Sequence, residues 1–167
     1  MILRKAKSTE INQIWEIIQY AIAQRKADGS TQWQDGYPNE NTIQADIEQG
    51  YGYIIEEKGT VLLYAAVIFG TEPAYENIVG KWLSNQDYVV IHRVAASPLA
   101  KGKSIATKFF QMVEALCLEK KVYSIKVDTN FDNMAMLRIL EKLAYTYCGE
   151  VYFRGAARKA FEKVLPR

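Results

Sequence analysis

Residues 88–110 read YVVIHRVAASPLAKGKSIATKFF and contain the most distinctive pattern of the chain. The opening run, residues 88–96, is mainly apolar and predicts a strand. Ser97-Pro98 and a tight basic loop follow it. The apolar residues beyond the loop recur at helical spacing (Ile105, Phe109, Met112, Val113 and Leu116). The stretch therefore predicts a strand, a loop and an amphipathic helix in that order.

The start of this helix is unusually basic. Lys101, Lys103 and Lys108 surround its first turns, and the first acidic residue is Glu114. Helix N-termini favour acidic side chains, because the helix dipole places partial positive charge there. An external anion on the free N–H groups would offset the lysines, and small residues line the same turn (Gly102, Ser104 and Ala106). The pattern favours an anion-binding turn, with a solvated basic surface as the alternative.

The same segment resembles the acetyl-CoA loop of the GCN5-related N-acetyltransferases, the GNAT superfamily. That loop has Arg or Gln, two variable residues, Gly, one variable residue, and then Gly or Ala. Lys101 stands at the first place, Ser104 at the glycine place and Ala106 at the last, so two of the three defining positions differ. The resemblance implies that the phosphates of acetyl-CoA contact the loop at Lys101, Gly102, Lys103, Ser104, Ile105 and Ala106.

Gly102-Lys103-Ser104 also matches the end of a P-loop, the phosphate-binding turn of many nucleotide-binding proteins. A P-loop needs a glycine five residues before Gly102, where this chain has Ser97 followed by Pro98. Proline removes an N–H group that the phosphate cradle uses. A P-loop nucleotide-binding protein is therefore the less favoured alternative.

The predicted elements run strand, helix, helix, three strands, helix, strand, helix and two strands. A hairpin is predicted within residues 51–69, where Lys58-Gly59 separates two apolar runs. The same order is that of the GNAT family, so the chain is expected to form one GNAT-like domain over residues 1–167. The expected fold class is mixed α/β, with a central, mostly antiparallel sheet flanked by helices.

Strands four and five of this sheet are expected to splay apart, as in the family that the chain resembles. The resemblance implies that the acyl-pantetheine arm lies between them and pairs with backbone groups at Val94, Ala95 and Ala96. Small side chains at the last two positions leave room for the arm, but core packing explains them equally well. Asn133, on the helix after strand five, matches a family asparagine that hydrogen-bonds pantetheine. A first-turn residue beside a capping Asp132 is its equal structural interpretation.

His92 is the one histidine of the chain and lies on the predicted fourth strand. Acylation of an amine needs a proton acceptor, since a lysine-like amine with a pKa near ~10.4 is protonated at neutral pH. A free imidazole, with a pKa near ~6.5, suits that task, and some family members carry a base on this strand. A structural histidine paired with a carboxylate is the alternative. Leu140 replaces a tyrosine that often protonates the leaving thiolate in the family, which leaves the general acid unassigned.

The acceptor pocket is expected in the first long loop and in the region before strand four. Aromatic side chains are concentrated there, in segments too polar for an ordinary core (Trp33, Tyr37, Tyr75 and Trp82, beside Gln32). They predict a pocket wall, with aromatics that anchor loops to the fold as the alternative. The sequence does not identify the acceptor amine.

Composition excludes several classes of protein. A net charge of +2 without a long Lys/Arg run argues against nucleic-acid binding. No apolar run reaches transmembrane length, and residues 1–6 form a short strand rather than a secretory signal. Cys117 and Cys148 have no redox or zinc spacing, so no metal is expected. The chain is expected to be cytoplasmic, a monomer or homodimer, and free of nucleic-acid and membrane partners.

An acetyl-CoA-dependent N-acetyltransferase is the function that the resemblance implies, with direct attack of a primary amine in a ternary complex. Acetyl-CoA, as the acyl donor, and the amine acceptor are the expected partners. A non-catalytic acyl-CoA-binding or sensing module is the alternative, because the loop is modified and the tyrosine is missing.

Overall fold

The computed structural model describes all 167 residues and has a mixed α+β fold. The strands are β1 (Ile2–Lys5), β2 (Gly52–Glu57), β3 (Thr60–Phe69), β4 (Val79–Gly80), β5 (Val89–Ala96), β6 (Ser124–Thr129), β7 (Thr146–Phe153) and β8 (Ala156–Val164). The α-helices are α1 (Ile11–Ala27), α2 (Glu40–Glu48), α3 (Ile105–Glu119) and α4 (Met134–Lys142). One sheet has the order β1-β2-β3-β5-β6-β8-β7-β4. The pair β5–β6 is parallel, whereas β1–β2, β2–β3, β6–β8, β7–β8 and β4–β7 are antiparallel.

The observed elements confirm the predicted fold class and the predicted order, apart from the two-residue strand β4, which the sequence pattern does not indicate. The hairpin is confirmed as well. Lys58 and Gly59, with φ of 50° and 80°, form the left-handed two-residue turn that suits the twist of paired strands. None of the helices is long and apolar enough to cross a membrane.

The chain divides into two compact units. The first comprises residues 1–67 and 93–109, and the second comprises residues 68–92 and 110–167. Strand β5 thus contributes its first half to the second unit and its second half to the first. The assignment of residues 1–167 to one domain stays a prediction.

The core of the first unit is built by helices α1 and α2 together with strands of the sheet. Its buried members are Ile14, Ile17, Ile18, Ile43, Ile54, Val61, Tyr64 and Ala95. Asn39 fixes the start of α2, because its side-chain oxygen accepts a hydrogen bond from the backbone N–H of Thr42 at 3.0 Å. This cap places the start of the helix at Glu40.

In the second unit, β8 lies between β6 and β7 and forms antiparallel ladders with both. Glu162 on β8 is fully buried. Its carboxylate accepts hydrogen bonds from the backbone N–H of Leu83 at 2.9 Å, from Ser84 Oγ at 2.5 Å and from Ser124 Oγ at 2.8 Å. Three donors therefore satisfy the buried acid and tie the segment before β5 to β8.

Strands β5 and β6 pair over a short length only. Their parallel register begins at Val89 and Ile125 and ends at Ile91 and Val127, although both strands continue beyond it. β5 and β6 are the predicted strands four and five, because the short β4 was not predicted. Their ladder therefore stops at Ile91 and Val127, and these two strands are expected to diverge beyond that point.

A pair of glycines fixes the sheet at β4 and β7. Gly80 faces Gly149 in the antiparallel register, and both have positive φ, 139° and 138°. A Cβ atom at Gly149 would lie 2.9 Å from the Cα of Gly80 and nearer still to the carbonyl oxygen of Val79. This close approach of two backbones requires glycine at both positions.

We expect Gly149→Ala to lower the free energy of unfolding by about 2 kcal/mol or more, because the added methyl group overlaps backbone atoms. Gly59→Ala is the matched control, since Gly59 also has a positive φ (80°) but has open space at the Cβ position. The control is expected to cost about 1 kcal/mol. Urea denaturation followed by circular dichroism measures both values, and equal losses would contradict the assigned role of the glycine pair.

Candidate functional site

The basic loop before α3 has the geometry of an anion-binding turn. Gly102 and Ser104 have φ of 81° and 51°, and the Ser104 carbonyl accepts the first helical hydrogen bond, from Lys108 N at 3.1 Å. The N–H groups of the first helical turn (Ile105, Ala106 and Thr107) therefore have no partner within the helix. Gly102 is exposed, and nothing lies within 4 Å of its Cβ position. Free N–H groups at a helix start beside an exposed, basic loop are the features of an anion-binding turn.

The two lysines of this loop differ in their surroundings. Lys101 is exposed to solvent. Lys103 donates a hydrogen bond from Nζ to Glu57 Oε1 at 3.2 Å, and this bond lowers the pKa of the Glu57 carboxyl. The charge of Lys101 is therefore fully available to a phosphate. Lys103 would have to share its charge between Glu57 and a phosphate.

Residues predicted to contact the pantetheine arm lie at the C-terminal end of β5 and at the start of α4. Ala95 is 2% exposed and packs in the core of the first unit, so packing accounts for its small side chain, whereas Val94 and Ala96 are half-buried. Asn133 itself caps α4, because its Oδ1 accepts a hydrogen bond from Met136 N at 3.3 Å.

The capping role expected for Asp132 is therefore wrong, because α4 begins at Met134 and its cap position falls on Asn133. The side-chain amide group of Asn133 is the part that can donate to a ligand. Leu140 is fully buried in the second unit, which agrees with a packing role.

His92 lies between two carboxylates of the second unit. Its Nε2 is 3.7 Å from Glu72 Oε2, and its Nδ1 is 3.7 Å from Asp128 Oδ2. The imidazole also packs against the ring of Tyr75 at 6.2 Å and the ring of Phe153 at 5.8 Å, measured between centroids. Its side chain is 15% exposed, so the imidazole keeps some contact with solvent.

Asp128 is held by donors on its other sides. Its Oδ2 accepts a hydrogen bond from the hydroxyl group of Tyr75 at 2.7 Å, and its Oδ1 accepts one from Arg158 Nε at 2.5 Å. Arg158 also donates to Asn130 Oδ1 at 2.8 Å. Burial, and after it the nearby charge of Asp128, raises the pKa of Tyr75 well above its usual value. The phenol therefore stays protonated and donates a hydrogen bond to the carboxylate. Asp128 therefore has a fixed position beside Nδ1 of His92.

Sequence reasoning missed Glu72, Asp128 and Arg158 as neighbours of His92. On β6 the polar residues Ser124, Lys126 and Asp128 alternate with apolar ones, so the sequence pattern did not single out Asp128. Glu72 had no signal either, because it lies in an irregular segment before Pro73. Tertiary structure alone brings the three residues together.

The four aromatic residues predicted for an acceptor pocket fall into two separate groups. Tyr75 and Trp82 lie together in the second unit, with ring centroids 5.1 Å apart, and Trp82 Nε1 donates to the Tyr75 carbonyl oxygen at 2.8 Å. Tyr75 is only 1% exposed, so it acts on the site through its hydrogen bond to Asp128 rather than as an open wall. Trp33 and Tyr37 belong to the first unit, where Trp33 packs on the hydrophobic core.

Arg93, the residue after His92, has a backbone conformation that the sequence did not indicate. Its φ is 56°, in the left-handed region that side-chain-bearing residues rarely adopt within a strand. The guanidinium group donates to Asp46 on α2 through Nε at 3.0 Å and Nη2 at 2.6 Å, and to the hydroxyl oxygen of Tyr37 through Nη1 at 2.7 Å. Asp46 also accepts from Tyr64 at 2.5 Å. This network of four side chains joins α2, β3, β5 and the first long loop.

Comparison with known proteins identifies the class. Residues 14–145 match the family described as "Acetyltransferase (GNAT) family", and this span covers most of the chain. The chain therefore belongs to the GNAT acetyltransferase family, which uses acetyl-CoA for acetyl transfer. Membership of this family removes the P-loop alternative.

Similar solved structures agree with this assignment. A GNAT-family acetyltransferase from Streptococcus agalactiae is 40% identical, with a TM-score of 0.90 over 99% of this chain and 96% of that chain. A GNAT-family acetyltransferase from Listeria monocytogenes is 20% identical, with a TM-score of 0.79 over 98% and 94% of the two chains. The protein yncA from Salmonella typhimurium, solved with its cofactor acetyl-CoA, is 18% identical, with a TM-score of 0.69 over 100% and 95%. No curated protein matches the chain.

We expect Asp46→Asn to lower the free energy of unfolding by about 3–5 kcal/mol, because it leaves the buried guanidinium of Arg93 without its counter-charge. Glu48→Gln, an exposed change of the same kind on the same helix, is the matched control and is expected to change it by less than about 0.5 kcal/mol. Guanidinium chloride unfolding monitored by tryptophan fluorescence measures both. Similar small effects for the two variants would show that the ion pair contributes little.

Proposed function

We propose that the protein transfers the acetyl group of acetyl-CoA to a primary amine by direct attack in a ternary complex, with His92 as the general base. The observation that carries this proposal is the position of the imidazole, with one ring nitrogen facing buried Asp128 and the other facing Glu72. Within a family that transfers acetyl groups, such a histidine is suited to accept the proton of an amine. A cytoplasmic location and a monomeric or homodimeric state stay predictions.

Asp128 supports this role by selecting one tautomer of His92. The two carboxylates lie at the same 3.7 Å from their ring nitrogens, but Asp128 is buried whereas Glu72 is partly exposed, so solvent screens the charge of Asp128 less. Asp128 therefore favours the proton on Nδ1, which leaves the lone pair on Nε2 to accept a proton. The donors Tyr75 and Arg158 hold the carboxylate in place, and its charge stabilises the imidazolium that forms. His92 therefore acts as the base, and Asp128 positions it.

Acetyl-CoA supplies the activated acetyl group as a thioester. We propose that the N–H groups at the start of α3 and the loop residues Lys101, Gly102, Lys103, Ser104, Ile105 and Ala106 hold its phosphates. Backbone groups of Val94, Ala95 and Ala96 and the side-chain amide of Asn133 would hold the pantetheine arm. The end of the β5–β6 ladder at Ile91 supports this assignment, since the strand beyond it has backbone groups outside that ladder.

The proposal also covers the acceptor site and the source of the proton for the leaving thiolate. Trp33, Tyr37, Tyr75 and Trp82 would shape the acceptor site, with Tyr75 acting through Asp128. The raised pKa of Tyr75 makes its phenol a poor proton donor to a leaving thiolate. With Leu140 at the usual tyrosine position, the thiolate would take its proton from solvent.

We expect Gly102→Glu to weaken acetyl-CoA binding by about tenfold or more, because the added carboxylate repels the phosphates at the start of α3. Gly59→Glu is the matched control, since Gly59 also has positive φ and open space but lies in the β2–β3 turn. Isothermal titration calorimetry with acetyl-CoA measures both affinities. Equal affinities in the two variants and the unmodified protein would remove the loop from the binding site.

We expect His92→Gln to lower kcat by about 10²–10⁴-fold, the usual loss for a positioned base. The acid limb of the kcat/KM profile should also disappear, because imidazolium cannot accept a proton and glutamine does not titrate. Acetyl-CoA affinity is expected to stay unchanged. Thiol release across a pH series with a panel of amines gives these values, and a variant that keeps its rate and its acid limb would make His92 structural.

A further inference from the structure

We propose that Glu72 is an acceptor-binding residue, whose carboxylate holds the acceptor as an alkylammonium ion beside His92. This inference rests on the proposed function, because it assigns the acceptor to the open side of His92. It adds a binding residue that neither the family assignment nor the sequence analysis names.

Glu72 and His92 form an accessible pair of polar groups with no direct hydrogen bond between them. Glu72 Oε2 is 3.7 Å from His92 Nε2, longer than a hydrogen bond, and the two side chains are 22% and 15% exposed. The backbone of Glu72 is fixed, since its N–H donates to the hydroxyl oxygen of Tyr88 at 3.0 Å. Glu72 precedes a short helical turn at Pro73–Asn77, but its carboxylate makes no capping bond there. The carboxylate therefore stays available beside the imidazole.

The charges around the imidazole are asymmetric. Asp128 has Arg158 as a counter-charge and Tyr75 as a donor. The ion pairs of Glu72 include His92 but neither lysine nor arginine. Negative charge at Glu72 is thus available to a cation from solvent, whereas the charge at Asp128 is already balanced.

A primary ammonium ion can bridge these two acceptors, which are 3.7 Å apart. With the Nδ1 proton directed at Asp128, both Nε2 and the Glu72 carboxylate offer lone pairs, and one nitrogen about 2.9 Å from each can donate to both. An alkylammonium has the two N–H groups that this needs and a full positive charge. An arylamine is neutral at physiological pH, so it gains far less from the carboxylate.

The proton balance of the reaction follows from this arrangement. The bound ammonium gives one proton to Nε2 of His92 and keeps an N–H bond to Glu72. The freed lone pair on nitrogen forms the C–N bond to the acetyl carbon while the C–S bond breaks. The proton that remains in excess on the new amide nitrogen leaves to solvent, the thiolate takes a proton from solvent, and His92 releases its own.

Glu72→Gln tests the proposal with butylamine and spermidine as alkylammonium probes and aniline as the neutral probe. We expect KM for butylamine and spermidine to rise about tenfold or more, with a smaller change in kcat, because an ion-pair contact is lost. The KM for aniline is expected to stay within about twofold. Glu76→Gln, an exposed carboxylate on the same helical turn, is the matched control and should leave all three values unchanged. Equal effects on the charged and neutral probes would overturn the proposal.

A second measurement does not depend on turnover. His92 is the one histidine of the chain, so the Hε1 signal of its imidazole in the NMR spectrum reports on the site without overlap from other histidines. Butylammonium is expected to shift that signal in the unmodified protein, with an apparent Kd about tenfold or more weaker in Glu72→Gln. A shift without thiol release would support the ammonium site while the proposed acetyl transfer fails. Thiol release without a Glu72-dependent shift would overturn the ammonium site while acetyl transfer stands.

Discussion

The ion pair between Arg93 and Asp46 is the contact on which the rest of the first unit depends. Arg93 has a left-handed backbone inside a strand, a conformation that persists only where its surroundings determine it. Asp46 is a buried acid, and it would be costly without a cation. The hydrogen bonds to Asp46 hold Arg93 in its strained backbone conformation, and the guanidinium group of Arg93 balances the buried charge of Asp46. Through Tyr37 and Tyr64, the same contact sets the position of α2, of β3 and of one end of the first long loop.

In the second unit, the neighbouring residue His92 also faces a carboxylate whose charge is balanced by other groups, but only at one of its two ring nitrogens. Asp128 is buried and surrounded by donors, so it behaves as part of the fold. Glu72 is partly exposed and lies at an irregular turn. Nδ1 of the imidazole therefore faces a buried carboxylate, and Nε2 faces a partly exposed one. A histidine with one ring nitrogen toward solvent is suited to proton transfer, whereas a histidine enclosed on both sides only packs. Strand β5 holds two successive residues whose side chains each depend on distant carboxylates.

The sequence indicated the features that local pattern controls. Helical spacing in α3, the turn at Lys58-Gly59 and the small basic loop depend on residues close in the chain, and the structure has all three. The partners of His92 could not be predicted in this way, because the Tyr75–Asp128 contact joins residues 53 positions apart. The φ of Arg93 depends on a helix in the first unit, and β4 depends on glycines that meet only in the folded sheet. Asn133 illustrates the same point within a single turn of helix. Whether its side-chain oxygen caps α4 or contacts a ligand depends on the residue at which α4 begins.

The position of β8 has a consequence for how the molecule is made. β6 and β7 are both synthesised before β8, yet in the sheet they are separated by it. Until that strand emerges from the ribosome, the two earlier strands present unsatisfied edges to each other and to neighbouring chains. Glu162 lies on β8, so the donors at Leu83, Ser84 and Ser124 lack this carboxylate as an acceptor until β8 has been synthesised. The second unit therefore completes its sheet only after β8 has been synthesised.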